Sequence, residues 1–444
     1  MTVKQLQARG VRILRLVYAD LYGVQRGKDV LLTRAAHAIG HGKPFVEAVM
    51  TIDHSHNIVS GDESGFRDFL AVPDLRTARI SPLDPEVAVV VCDLVETDGK
   101  TPSGLDPRGS LKGIAARLER RGLRPVVAHE LEFYLMERSP EGVGGLRPMP
   151  MRDSSVYTVG QLADPTGIVR AMFDACEAFG LEPISMAQEY GHSQHEINLT
   201  HGAAVEATDR AFLFKSLVKQ MADMEGIVAT FMGMPVDDDE ASGYHLHASL
   251  VGKTGKNLFD APRAKDGLSE TAHQFIAGVV EHGPALCGLL NPTVNAFKRI
   301  VNGGLSPKFA NWGHDNRLAM LRVSEERGPA ARAEIRSGDG AANPYLVAAG
   351  LLAAGLDGIE RKLKAPAPVV GNFYEGPEDA FGAPLPTSLG DALDALEADA
   401  RLVELVGPAL IETFLRNKRY ELGRWEAHQN RLTAWEIEEY AEAL

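Results

Sequence analysis

Alternate residues share a face in a strand, and every third or fourth residue does in a helix. The chain changes from the first rhythm to a mixture of both near residue 105. Before that point VRILRLVYAD, LYGVQRGK and VAVVVCDL read as short strands joined by turns, and Pro73, Pro82 and Pro85 break any helix there. Residues 97–109, TDGKTPSGLDPRG, read as a Gly- and Pro-rich linker. A small β-rich domain is expected over residues 1–104 and a larger one over 105–444. In the larger part SLKGIAARLERR is an amphipathic helix. PTGIVRAMFDACEAF is another, with Pro165 near its start and Gly180 just past its end. TDRAFLFKSLVKQMADME is a third, closed by Gly226, and Thr433 with Glu436 forms a capping box for AWEIEEYAEAL. No internal repeat is seen. The expected class is α+β, with helices packed around strands.

Four of the strands share a peculiarity. In VVAHELEFYL, Glu130 and Glu132 share one face; in SQHEINLT, Gln194, Glu196 and Asn198 do. In GYHLHASL the shared face holds His245, His247 and Ser249, and in RAEIR it holds Arg332, Glu334 and Arg336. Any one of these could be an edge strand with one face in water. Four such faces, rich in Glu and His and poor in Lys and Thr, predict a shared concave polar lumen. Carboxylates gathered there repel one another and take up protons unless a cation compensates. Glu130, Glu132, Glu189, Glu196 and Glu334 with His245 form an oxygen-rich set that suits Mg²⁺ or Mn²⁺, more than one ion, rather than structural zinc.

Arg299, Arg317, Arg322, Arg332 and Arg336 follow closely in the chain among Gly-rich turns. One or two could simply pair with Glu325 and Glu326 at the surface. Together they suit phosphates and carboxylates, and metals with arginines around a phosphoryl group are a common electrostatic solution for its transfer. No P-loop motif is present. The net charge of −14 argues against nucleic acid or an anionic membrane as partner. Three widely spaced cysteines, Cys92, Cys176 and Cys287, fit a reducing cytoplasm. No segment reads as a signal peptide or membrane span.

These residues resemble the motifs of the glutamine synthetase family. HELEFY resembles its E-x-E strand, QEYGHSQHEINL its next acidic segment and SGYHLHASL its G-x-H-x-H-x-S strand. NPTVNAFKR, NRLAMLRV and RAEIRSGDGAANPYL resemble the later blocks, and LPTSLGDAL and the final WEIEEY the C-terminal part. The resemblance implies a β-grasp N-terminal domain and a half-barrel catalytic domain. It implies Glu132, Glu189 and Glu196 as ligands of one divalent ion, and Glu130, His245 and Glu334 as ligands of the second. His247 and Ser249 would contact ATP phosphates, with Arg322 and Arg332 on the nucleotide. Arg317 would neutralise the transferring phosphoryl group, Arg299 would hold the glutamate α-carboxylate and Arg336 its side chain. Glutamate, ATP and an amine are the implied substrates, in a dodecamer of two stacked hexameric rings with sites between neighbouring subunits.

The sequence departs from the family on the ammonium side. Where true synthetases carry a flap glutamate, this chain has NGGLSP with Leu305. The ammonium-site aspartate aligns with Asp53, in the context TIDHSHNI, and the tyrosine with Tyr157. Glu240 and Ala241 replace part of the turn that grips the glutamate amino group. The expected activity is ATP-dependent ligation of the glutamate γ-carboxylate to a small primary amine, ethanolamine-like first and polyamine next, with Asp53 and Glu189 as candidate bases. Rival readings are an ordinary synthetase using ammonia, a non-catalytic structural or regulatory relative, and a metal hydrolase built on the H-x-H pair. Tyr374 reads as a surface-loop tyrosine rather than a modification site.

Overall fold

The structure is a computed structural model, and it describes residues 1–61, 64–152, 155–302, 305–377 and 381–441. Two sheets carry it. The N-terminal sheet has six strands, with Ile13–Ala19 and Val87–Val95 parallel at its centre. Gln25–Leu31 flanks the first of these; Asp68–Pro73 and then Lys43–Val46 flank the second. The segments read as strands from their apolar runs are strands. Val87–Val95 is almost unbroken in apolar residues because a central strand is covered on both faces.

The second sheet has ten strands. Its main row runs Trp312–His314, Leu321–Val323, Ala333–Asp339, Gly243–Val251, Arg124–Arg138, Gln194–Leu199 and Pro183–Gln188. We name four of these by a residue each carries: the Glu130 strand (Arg124–Arg138), the Glu196 strand (Gln194–Leu199), the His245 strand (Gly243–Val251) and the Glu334 strand (Ala333–Asp339). All four lie inside the row and none is an edge. Their polar faces are therefore not the solvated faces of edge strands. The architecture is mixed α+β, as expected.

Helix starts differ from the sequence reading by a few residues. The helix read from SLKGIAARLERR begins at Pro107, inside the expected linker, because the Asp106 side chain accepts from the Arg108 N–H at 2.9 Å and Pro107 is preset for a first turn. The next begins at Ile168, after Gly167 in the left-handed region, and the third at Ala204, four residues early. The capping box of the last helix is present: Glu436 N–H donates to Thr433 Oγ1 at 3.2 Å, and Thr433 N–H to Glu436 Oε2 at 2.7 Å. Among the described residues no helix is long and apolar enough to cross a membrane. The three cysteines are free and buried.

Behind the sheet lies the helix Pro344–Arg361, buried along nearly its whole length. A helix buried all round needs small residues where neighbours cross it. Gly278 of the helix Glu270–Glu281 and Gly358 meet there, and a Cβ on Gly278 would lie 2.1 Å from the Ala354 carbonyl oxygen.

Arg108 joins the two parts of the molecule. Its guanidinium is bidentate to Asp209, at 2.9 and 2.8 Å, and also reaches Asp93 and Asp74 of the N-terminal part. Tyr345 O–H donates to Asp209 at 2.7 Å, extending the network to the central helix. The Arg76 hydrogen bond, with the nearby Arg108, holds the Asp74 carboxyl well below its usual range against the effect of burial. Stability tied to a depressed carboxylate is present above its unfolded value, about 3.9, and is lost as pH falls through the folded value. Arg108→Met should therefore cost about 3–5 kcal/mol near pH 7, where buried carboxylates lose their cation. The part of the deficit carried by Asp74 should shrink as pH falls toward that carboxyl's depressed value. Denaturant unfolding of both proteins across this range checks it; a deficit independent of pH would reduce Arg108 to a packing residue.

Candidate functional site

Strand register builds the site. Glu132 stands opposite Glu196, and Glu130 stands between Asn198 and His245. Glu334 stands opposite His247 on one side and Arg322 on the other. Glu189 joins from the turn that follows Pro183–Gln188. Together these side chains line a cavity of about 800 Å³. Gly243 makes room for the closest approach: a Cβ there would sit 2.9 Å from His245 Nε2 and 3.2 Å from Glu132 Oε1.

The glutamates fare differently. Burial works to raise Glu130, yet the two histidines, His245 with Nδ1 at 3.5 Å and His247 with Nε2 at 2.8 Å, hold it well below the usual range. Glu334 is buried but clamped by Arg322, at 2.6 Å, and by Arg336, and it sits at about 2. Glu132 accepts from Gln194 Nε2 at 2.9 Å and from the Gly243 N–H at 2.7 Å. Among the described residues no cation pairs directly with Glu189 or Glu196, and Arg317 and Arg336 only oppose the rise of Glu189 from farther off. Burial, then the neighbouring carboxylates, pushes Glu189 up to about 7 and Glu196 well above its ordinary value. A site whose carboxylates are driven toward neutrality by crowding fits divalent cations, which would hold the same groups ionised.

Two sets of side chains bring ligand atoms within 4.8 Å of one another: Glu130, His247 and Glu334, and Glu130, Glu196 and His245. This division differs from the expected one. Glu130 is common to both sets, His247 joins the carboxylates, and His245 lies 3.9 Å from Glu334. Glu132 and Glu189 are in neither set, and Glu132 Oε2 accepts from Gln194 Nε2 and the Gly243 N–H.

All five arginines line the same cavity. Arg299 is fully buried, donating to Ser306 Oγ at 3.0 Å, Asn291 Oδ1 at 3.2 Å and the Ser337 carbonyl at 2.7 Å. Arg336 also donates to the Arg317 carbonyl at 3.1 Å, while the Arg317 side chain is exposed. Arg332 lies 3.4 Å from Glu326, so the surface pairing suggested by sequence holds for this arginine. A second cavity, about 330 Å³, shares Glu130, Ser185, Asn198, His247 and Arg332 with the first. Val126, Val127, Ile184 and Leu199 give it apolar walls, and Ser249 faces it. An apolar slot opening onto arginines and carboxylates suits a nucleoside whose phosphates reach the lumen.

Tyr157 and Leu305 line the lumen, as do Glu240 and Ala241; residues 303 and 304 of NGGLSP lie outside the described residues. Tyr190 lines it too and has no role in the sequence reading, although its place directly after Glu189 was a usable signal. Asp53 is not among the lining residues. Its carboxylate accepts from Ser55 N–H and Asn57 N–H, both at 2.8 Å, and pairs with Arg424. Within one chain it forms a turn and an ion pair. Tyr374 packs among Phe309, Phe373 and Phe381 and accepts the Lys308 N–H at 3.0 Å, so it is less of a surface-loop residue than expected. A larger cavity, about 990 Å³, lies between the N-terminal hairpin and the helix Ala204–Met224 but contains none of the clustered glutamates.

The profile of a family described as "Glutamine synthetase, catalytic domain" matches residues 104–440. A glutamine synthetase of Pyrococcus abyssi is 35% identical over 459 aligned positions, covering 99% of this chain and 98% of that one. One from Halobacterium salinarum is 33% identical, covering 98% and 95%. Two solved structures, described as "Apo GmaS without ligand" and "GmaS/ADP complex-Conformation 1", each superpose with a TM-score of 0.87 at 30% identity, covering at least 99% of both chains. The lumen of carboxylates, histidines and arginines thus sits in a chain that matches these proteins over its whole length. The chain belongs to the glutamine synthetase family, enzymes that use ATP to join glutamate to ammonia or an amine.

Proposed function

We propose that the enzyme joins the γ-carboxylate of glutamate to a small primary amine, ethanolamine-like before polyamine, through a γ-glutamyl phosphate. The observation that carries this is Leu305. It is 49% exposed and lines the lumen where the resemblance expects a flap glutamate. A leucine neither attracts ammonium nor accepts its proton, but it leaves room for a carbon substituent on the nitrogen. An ordinary ammonia-using synthetase is the second reading, favoured by the names of the curated relatives.

The residues divide the work as follows. Arg299 and Arg336 fix the two carboxylates of glutamate, so that its γ-oxygen meets the terminal phosphoryl group of ATP. Arg317 faces the charge that develops there, while Arg322 and Arg332 hold the nucleotide with Ser249. Divalent ions, held by Glu130, Glu132, Glu189, Glu196, His245 and Glu334 with His247 beside them, would neutralise phosphate oxygens. The amine arrives as a cation. At an alkylammonium pKa of about 10.4, freeing its nitrogen at pH 7 costs roughly 4–5 kcal/mol, so a base must share the proton. Glu189 is that base from within the chain. Asp53 serves only if an adjacent copy brings it to this lumen, as the ring assembly of the family implies. The division into residues 1–104 and 105–444 and a reducing, cytoplasmic setting belong to the same proposal.

Glu130→Gln should reduce turnover by about 100-fold or more, the order seen when a phosphoryl-stabilising group is lost. Circular dichroism should be unchanged, and the rise in melting temperature that Mn²⁺ or Mg²⁺ gives the wild type should be smaller. A variant that keeps both the activity and the metal-dependent shift removes Glu130 from the metal centre.

The acceptor reading is tested with the wild type. Its kcat/KM for ethanolamine or methylamine should exceed that for ammonia at least tenfold, at matched pH and saturating glutamate and ATP. Leu305→Glu should lower amine use and raise glutamine formation from ammonia. A wild type that makes glutamine from ammonia as fast as it couples any amine returns the enzyme to the ordinary synthetases.

A further inference from the structure

The lumen is lined mainly by charged and small residues. Among the described residues on its wall, the large apolar or aromatic side chains are Tyr157, Tyr190 and Leu305. They are 62%, 53% and 49% exposed, so their surfaces face open space rather than the core. Tyr157 and Tyr190 come from opposite sides of Glu189. The backbone N–H of Tyr157 donates to the Gln188 carbonyl at 3.1 Å, and Tyr190 directly follows Glu189.

The turn that carries Tyr190 is pinned. Glu189 N–H donates to the Gln194 carbonyl at 2.9 Å, Gln194 N–H to the Gly191 carbonyl at 3.1 Å, and Gly191 N–H to Gln194 Oε1 at 2.8 Å. Gln194 Nε2 also holds Glu132, so one side chain fixes both the turn and a lumen carboxylate. A Cβ on Gly191 would lie 1.8 Å from Tyr134 Oη, which shows how closely the turn packs against the Glu130 strand. A ring presented on such a support is preorganised to read shape.

We infer that Tyr190 is a specificity-determining residue for the acceptor, packing with Tyr157 and Leu305 against the carbon arm of the amine. The inference rests on the amine reading above and narrows it. An aromatic face attracts an ammonium cation, and its hydrocarbon surface favours an uncharged neighbour over water. The class selected is a primary monoamine with a short, uncharged arm. A second ammonium group at the far end of the arm would meet the aliphatic side chain of Leu305, which offers it neither charge nor a hydrogen-bond acceptor.

The test is kinetic, with ammonia, methylamine, ethanolamine, propylamine and putrescine as acceptors. In Tyr190→Ala the ratio of kcat/KM for the alkylamines to that for ammonia should fall about tenfold, with KM for ATP and glutamate little moved. Tyr190→Phe should restore the ratio, and Tyr190→Trp should shift preference toward methylamine over propylamine. An Ala variant that keeps the wild-type ratio, or Ala and Trp variants with the same dependence on arm length, overturns the role of Tyr190 alone. A wild type that prefers putrescine overturns the monoamine class, and one that prefers ammonia overturns the underlying amine reading. If the Ala variant does not fold by circular dichroism, Tyr190→Leu, which also removes the ring, is read by the same ratio.

Discussion

The crowding of Glu130, Glu132, Glu189, Glu196 and Glu334, five of the glutamates that face one space, is the constraint that shapes the catalytic half of this enzyme. Two like charges about 5 Å apart repel by roughly 3 kcal/mol even at an effective dielectric of 20, more than an ordinary hydrogen bond returns. The protein answers the repulsion within itself for two of the five. Glu334 is clamped by Arg322 and Arg336, and Glu130 lies between His245 and His247. Glu132 receives neutral donors only. Among the described residues no cation forms an ion pair with Glu189 or Glu196, although Arg317 and Arg336 lie near enough to oppose the rise of Glu189. The unmet part of the charge would draw divalent ions.

Such a lumen lowers the stability of the fold that holds it, so the support lies elsewhere. The fully covered helix Pro344–Arg361, the Gly278–Gly358 crossing and the Arg108 junction are all on the far side of the sheet from the glutamates. They let the sheet keep a polar face that would not be stable on a thinner scaffold. Building much of the site on interior strands also fixes its geometry, because Glu130, Glu132, Glu196, His245 and Glu334 stand on strands with a neighbouring strand on both sides.

Much of this was legible in the sequence. A period of two with Glu and His on one face is a property of neighbouring residues, so the four lumen strands could be read one by one. What could not be read was register. That Glu334 falls beside Arg322, and that Glu130 serves both His245 and His247, depends on how strands slide past one another. Long-range pairs were invisible for the same reason: Asp53 and Arg424 are 371 residues apart, and nothing local to Asp53 announces its partner. The early start of the helix at Pro107 was missed because linker and N-cap share a vocabulary of Asp, Pro and Gly. Tyr190 carries no local mark of its own beyond its place directly after Glu189.

The wall common to the two cavities has a further consequence. Glu130, Ser185, Asn198, His247 and Arg332 line the apolar slot and the charged lumen alike, so the two compartments adjoin. A single molecule could occupy both. A planar apolar group tethered through a phosphate mimic to a glutamate-like head would make its second contact intramolecular, at an effective concentration in the millimolar range for a short tether. Selectivity among relatives would then be sought at the far end of the lumen, by adding to the head a short arm shaped to the Tyr157–Tyr190–Leu305 wall.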